Sequence, residues 1–133
     1  MTYDEFVGQV QSRAKLASTG EAVAAIRATL ETLAERLAAN APEKLAAQLP
    51  REIGEYLRIS STAGTGESFP LNEFFKRVAA REKVDEPDSV YHARVVIEVL
   101  CEAVSGGEIQ KVLAQLPEDY FTLFESGSVG ALR

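Results

Sequence analysis

Two arginine–glutamate pairs recur at one spacing in different parts of the chain. Arg27 stands four residues before Glu31, and Arg94 stands four residues before Glu98. On a helix, that spacing puts both charges of a pair on one face. An exposed pair of this kind contributes about 0.3–0.5 kcal/mol. A guanidinium can also hold a carboxylate or phosphate through two parallel hydrogen bonds. The first expectation is structural: each arginine reaches the loop or helix terminus of its own part of the chain. A clamp between the two parts and an anion contact are the alternatives.

Other residues able to do chemistry are sparse. His92 is the single histidine. Asp85, Glu86 and Asp88 precede it closely, so an acid–base or metal role would draw on these carboxylates. A metal site needs three or more converging ligands, and no spacing here requires that, so no metal is expected. Cys101 is the single cysteine, which excludes an intrachain disulfide. It sits in an apolar run beside Glu98 and Glu102, where local charge opposes a thiolate. Gly64, Gly66, Gly106 and Gly107 lack the flanking lysine and strand context of a phosphate loop. Gln48 and Gln115 each precede a Leu-Pro pair, where a glutamine amide can bond backbone at a helix break. Tyr120, Phe121 and Phe124 form an aromatic cluster, read as core or, where exposed, as an interface anchor. No catalytic set and no cofactor site emerge.

Bulk properties narrow the classes. The chain has 133 residues, 46% of them apolar and 26% charged, with a formal net charge of -6. That length suits one domain with a shared core. The negative charge argues against non-specific nucleic-acid binding and against an anionic membrane surface. The acid is uneven: residues 1–66 carry 8 acidic and 7 basic side chains, and residues 67–133 carry 12 and 7. No apolar stretch approaches membrane-spanning length, and no signal segment opens the chain. The expected location is the cytoplasm.

The elements that must position these residues are helices. Thr2 or Asp4 can cap a first helix reaching about Leu16. Ser18, with Glu21 three residues on, has capping-box spacing. It opens a long helix from about Glu21 to Ala39, striped by Val23, Ile26, Leu30, Leu33 and Leu37. Asn40 and Pro42 end it, a short helix runs to Leu49, and Pro50 starts another reaching Leu57 or Ile59 as an N1 proline. Residues 60–70 read as a flexible linker in which Phe69 docks. The plan then repeats. Leu71 to about Lys83 is followed by a helix from Asp88 to Val104, stopped by Gly106 and Gly107. A short helix runs from Glu108 to Leu116, and a last one begins at Pro117 and ends near Phe124 or Glu125. Residues 126–133 read as a frayed tail.

The repetition can be aligned. Residues 3–16 match 71–84 at an offset of 68, with five identities in 14 positions. Residues 26–50 match 93–117 at an offset of 67, with nine identities in 25. The single-residue step falls in a turn, where length changes are tolerated. The expected architecture is all-α. It is a bundle of about eight helices made of two repeated four-helix units, 1–59 and 71–125, sharing one core. Phe6/Phe74, Val10/Val78, Leu33/Leu100 and Leu49/Leu116 are the expected core identities.

One ordered set of residues carries a family resemblance. It comprises Phe6, Val10, Leu33, Gln48-Leu49-Pro50, Phe74, Val78-Ala79, Ser105-Gly106-Gly107-Glu108 and Gln115-Leu116-Pro117. With it, the chain from about Thr2 to Phe124 resembles a bacterial family known as domain of unknown function 2267. The resemblance implies an all-helical, internally duplicated protein and brings no activity, cofactor or catalytic residue. In the first unit, Ala39-Asn40-Ala41-Pro42 replaces the Ser-Gly-Gly-Glu turn.

The functional expectation is a non-enzymatic interaction or scaffold module that holds a protein partner or forms a homodimer. One alternative is a sensor for a small anion bound between the units, with Arg27 and Arg94 as contacts. The other is an enzyme using His92 with nearby acids.

Overall fold

Apolar residues three and four apart bring the helices of this chain into one core. The computed structural model describes residues 1–125. The elements are α1 (Tyr3–Arg13), α2 (Thr19–Arg36), α3 (Ala41–Ala46), α4 (Arg51–Arg58), α5 (Leu71–Glu82), α6 (Glu86–Ala103) and α7 (Gly106–Leu113). A 3-10 turn (Glu118–Tyr120) follows, then helical residues at 121–125. Helix α1 packs on α2 and α6, α2 on α5 and α6, and α5 on α6; α3 and α4 pack on each other and on α2. Phe6, Val10, Leu33, Phe74, Val78 and Leu100 are fully buried at the centre, and Leu49 and Leu116 are buried nearer the edge. The Phe74 ring meets Phe75 and Tyr120 edge-on, with centroids 6.0 and 5.8 Å away. The expected all-α bundle is what forms, and the expected tail at 126–133 lies outside the described residues.

Local chemistry sets the helix ends. The Thr2 hydroxyl accepts from the Glu5 amide at 3.1 Å, and the Glu5 carboxylate accepts from the Thr2 amide at 2.8 Å. Together they complete a capping box. Ser18 accepts from the Glu21 amide, but the Glu21 carboxylate turns to the Ala17 amide instead of closing the box. Three expectations shift. Helix α2 stops at Arg36, not Ala39, because Leu37 turns extended. Pro50 is the cap before α4 and not its first residue. Gly106 and Gly107 open α7 behind the Ser105 cap, where they were expected only to stop α6.

The largest revision concerns residues 60–70. Expected as a flexible linker, they are tied to the end of α2. The Gly64 amide donates to the Ala34 carbonyl at 2.8 Å, the Gly66 amide to Leu37 at 3.0 Å and the Glu67 amide to Glu35 at 2.9 Å. The last carbonyls of a helix lack intrahelical partners, and here the connecting segment supplies them. Gly64 has φ +80°, and a Cβ there would lie 2.4 Å from the Ala39 carbonyl oxygen. Only glycine lets the segment approach that closely. Phe69 docks as expected, 5% exposed.

Residues paired by the two alignments make reciprocal contacts across the halves. Arg13 of α1 reaches Glu102 of α6, and Arg81 of α5 reaches Glu35 of α2. The Gln48 side-chain oxygen accepts from the Ser105 amide at 2.8 Å, and that of Gln115 accepts from the Ala38 amide at 3.0 Å. Each glutamine therefore bonds the backbone just past the long helix of the opposite half, where local capping at its own helix break was expected.

Candidate functional site

The reciprocal glutamines bring the end of α2, the start of α3 and the length of α7 to one cleft. Its volume is about 450 Å³, and its walls include Arg36, Ala41, Lys44, Gly66, Glu108, Lys111 and Gln115. Lys44 and Lys111 are identical residues 67 positions apart. Both are exposed and neither meets a carboxylate among the described residues.

Arg36 is the unusual member. It is only 9% exposed. Its Nε donates to the Phe69 carbonyl at 3.0 Å. Its guanidinium carbon lies 5.3 Å from the Tyr120 ring centroid and 5.8 Å from that of Phe69. The Tyr120 hydroxyl donates to the same carbonyl at 2.7 Å. These contacts fix the plane of the guanidinium and leave its charge unmatched. Arg13, Arg58, Arg77 and Arg81 each end on a carboxylate. Arg36 has none within 4.0 Å among the described residues. A buried unpaired charge costs several kcal/mol.

Glu108 is equally buried, at 9% exposed, and equally without an ion-pair partner among the described residues. Its amide donates to the Ser105 hydroxyl at 3.2 Å. A glutamate at this position of a helix usually returns its carboxylate to the cap amide. That amide is already taken by Gln48 of the other half. The carboxylate is thereby left to the cleft. Three cations and one carboxylate line it, a local positive excess in a chain of net charge -6. Such a lining attracts anions into a low-dielectric recess.

The residues singled out in the sequence fall elsewhere. Arg27 is an exposed arm bonded to Glu31 at 3.0 Å, within its own helix, and reaches no loop. It borders a second cleft of about 460 Å³ with Arg81 and Lys83. There Arg27 and Arg81 already hold carboxylates. Arg94 is exposed and meets no carboxylate among the described residues, because Glu98 is turned to Arg13 at 2.6 Å. The expected Arg94–Glu98 pair is therefore replaced by a contact between halves.

The aromatic cluster also divides. Tyr120 is fully buried and Phe124 nearly so, while Phe121 is 40% exposed. Burial pushes the Tyr120 phenol up to about 12. As interface anchors, Tyr120 and Phe124 are thus withdrawn and Phe121 remains. Phe121 borders an apolar groove with Cys101, Ile109 and Leu113. Burial pushes the Cys101 thiol up to about 11, helped by Glu102 and Glu98, so it is a poor nucleophile at neutral pH.

His92 meets Glu82 through Nδ1, and not Asp85, Glu86 or Asp88. The pair is closed between α5 and α6, with the side chains 11% and 4% exposed. Burial raises the Glu82 carboxyl above its ordinary range, against the pull of His92. One Glu82 oxygen has no hydrogen-bond partner. So little of either side chain reaches solvent that the geometry weighs against the acid–base reading. Among the described residues no three His, Cys, Asp or Glu side chains gather as a metal site requires. Among the described residues no helix is long and apolar enough to cross a membrane.

The fold and the ordered family residues agree with one match. The chain belongs to the family described as uncharacterized conserved protein (DUF2267), over residues 3–123. No curated protein matches it.

For this DUF2267 chain, the cleft residues were partly within reach of the sequence. Lys44 and Lys111 are among the nine identities of the longer aligned block, each four residues before a repeated glutamine. That spacing was the available signal. Arg36 and Glu108 gave none, because their aligned counterparts are Ala103 and Ala41.

Proposed function

We propose that this protein is a non-enzymatic binding module that holds a small organic anion in the cleft between its halves. The observation that carries the reading is Arg36, buried and oriented yet without a carboxylate, beside two unpaired lysines. The volume of about 450 Å³ falls in the range of small-molecule sites. The site lies between the halves, where the sensor alternative put it, but is built from Arg36, Lys44 and Lys111 in place of Arg27 and Arg94. The reading takes 1–59 and 71–125 as repeated units of one domain, supported by the reciprocal Arg–Glu and Gln–amide contacts.

Titration of the full chain with phosphate, with glutarate and with glutamate at low salt, followed by amide NMR shifts, tests it. The expected result is a saturable response at residues around the cleft. The double variant Lys44→Glu, Lys111→Glu should weaken binding at least about tenfold, while its melting temperature holds because both side chains are exposed. No saturable response to any of phosphate, glutarate and glutamate in the native chain overturns the proposal.

Phe121 supports a second reading, a docking face for a protein partner or a second copy. A large apolar residue left 40% exposed on an apolar groove is the usual mark of such a face. Sedimentation should show self-association that Phe121→Glu removes; a monomer at all concentrations leaves only a different partner.

A further inference from the structure

The cleft holds two buried charges of opposite sign that do not meet. Arg36 and Glu108 are each 9% exposed, both line the cleft, and no ion pair within 4.0 Å joins them. Two largely covered side chains of opposite charge in one recess normally close on each other or find other partners. Here each is restrained. The Arg36 guanidinium is anchored by the Phe69 carbonyl and lies against the Tyr120 ring. Glu108 sits in the first turn of α7, fixed through its amide to Ser105, and Gln48 has displaced it from the cap. A ligand carrying only negative charge would satisfy Arg36 and be repelled by Glu108.

We infer that the cleft takes an amino acid with an acidic side chain, its ammonium group donating to Glu108 and its carboxylates held by Arg36, Lys44 and Lys111. This rests on the anion-binding reading above and narrows it. The match is one of sign at each group. Three cations and one carboxylate line the site, and such a ligand brings carboxylates for the cations and an ammonium for the carboxylate. The guanidinium presents a planar fork suited to a carboxylate, and the lysines are mobile point charges suited to a second one. The wall between them is small and apolar, with Ala38, Ala39, Ala41 and Val112. It has room for a short aliphatic chain and no free aromatic face on which a base could stack.

Glutamate and glutarate differ only in the ammonium group, which makes them the probes. Calorimetric titration of the full chain should give a dissociation constant for glutamate about tenfold lower than for glutarate, the worth of one hydrogen bond to a charged group. In Glu108→Gln, which keeps shape and removes charge, the preference should vanish and glutarate should bind as well as before or better. The comparison in the native chain needs no variant, so it stands even where the substitution disturbs folding. Glutarate equal to or tighter than glutamate in the native chain overturns this inference and leaves the anion site intact. A preference that survives in a folded Glu108→Gln variant overturns it too. Failure of glutamate, glutarate and phosphate alike overturns the anion site itself.

Discussion

The two ion clusters that join the halves are built on corresponding residues and differ in what covers them. In one, Glu35 of α2 accepts from Arg81 at 2.5 Å, Arg77 at 3.3 Å and the Thr62 hydroxyl at 2.6 Å. Its side chain is 7% exposed. In the other, Glu102 of α6 accepts from both terminal nitrogens of Arg13, at 2.7 and 2.8 Å. Its side chain is 49% exposed. Residues 60–70 fold over the first cluster, and no described segment folds over the second. The same pair of residue types is therefore a desolvated network in one half and a surface bridge in the other. Burial, not the chemistry of the pair, sets its worth.

The sharpest way to break this comparison is to remove each carboxylate. Glu35→Ala leaves Arg81 and Arg77, 30% and 25% exposed, short of a partner. It should cost about 1.5–3 kcal/mol, the usual worth of hydrogen bonds to a charged group. Glu102→Ala should cost about 0–1 kcal/mol. Urea unfolding of both variants gives the two numbers, and equal losses would show that the covering segment contributes nothing.

Acid should expose the same contrast. Burial pushes the Glu35 carboxyl up, but hydrogen bonds from Arg81 and Thr62, the charge of Arg81 and the bond from Arg77 outweigh it and hold it below its ordinary value. For a carboxyl lowered in the folded state, the stabilisation is full above the unfolded value. It is lost as pH falls through the folded one. Between about pH 5 and pH 2 the native chain should lose stability more steeply than Glu35→Ala, and the gap between them should narrow. Parallel curves would mean that Glu35 is not held as a charged group.

The smallest effect should come from the reciprocal glutamines. Gln48→Ala and Gln115→Ala each remove one hydrogen bond between the halves, at 2.8 and 3.0 Å. Each should cost about 1 kcal/mol. Their near equality is the control for the ion clusters, since neither contact depends on charge. Thermal unfolding measures both, and a loss confined to one would end the correspondence there.

Much of the fold was legible because helix formation is written locally. The stripe from Ile26 to Leu33, the Thr2 and Ser18 caps and the core pair Phe6 and Phe74 follow from spacing and residue type. The helix ends were less legible. Whether α2 stopped at Arg36 or ran to Ala39 depended on residues about 30 positions away, where Gly64 and Gly66 take up its last carbonyls. The two repeated arginines drew attention because both recur, yet recurrence does not say which partner a side chain will find. Glu98 turned to Arg13, on another helix, and Arg94 was left in solvent.

By itself the sequence determined the helices, the shared core and the family, because periodicity, capping and ordered apolar residues act over a few positions of chain. Only the tertiary structure decided the cleft. Arg36 looked like any polar residue at a helix end until Phe69, Tyr120 and α7 closed around it. Glu108 is left to the cleft only because Gln48 takes the Ser105 amide. Both depend on burial, and burial is a property of what surrounds a residue in space.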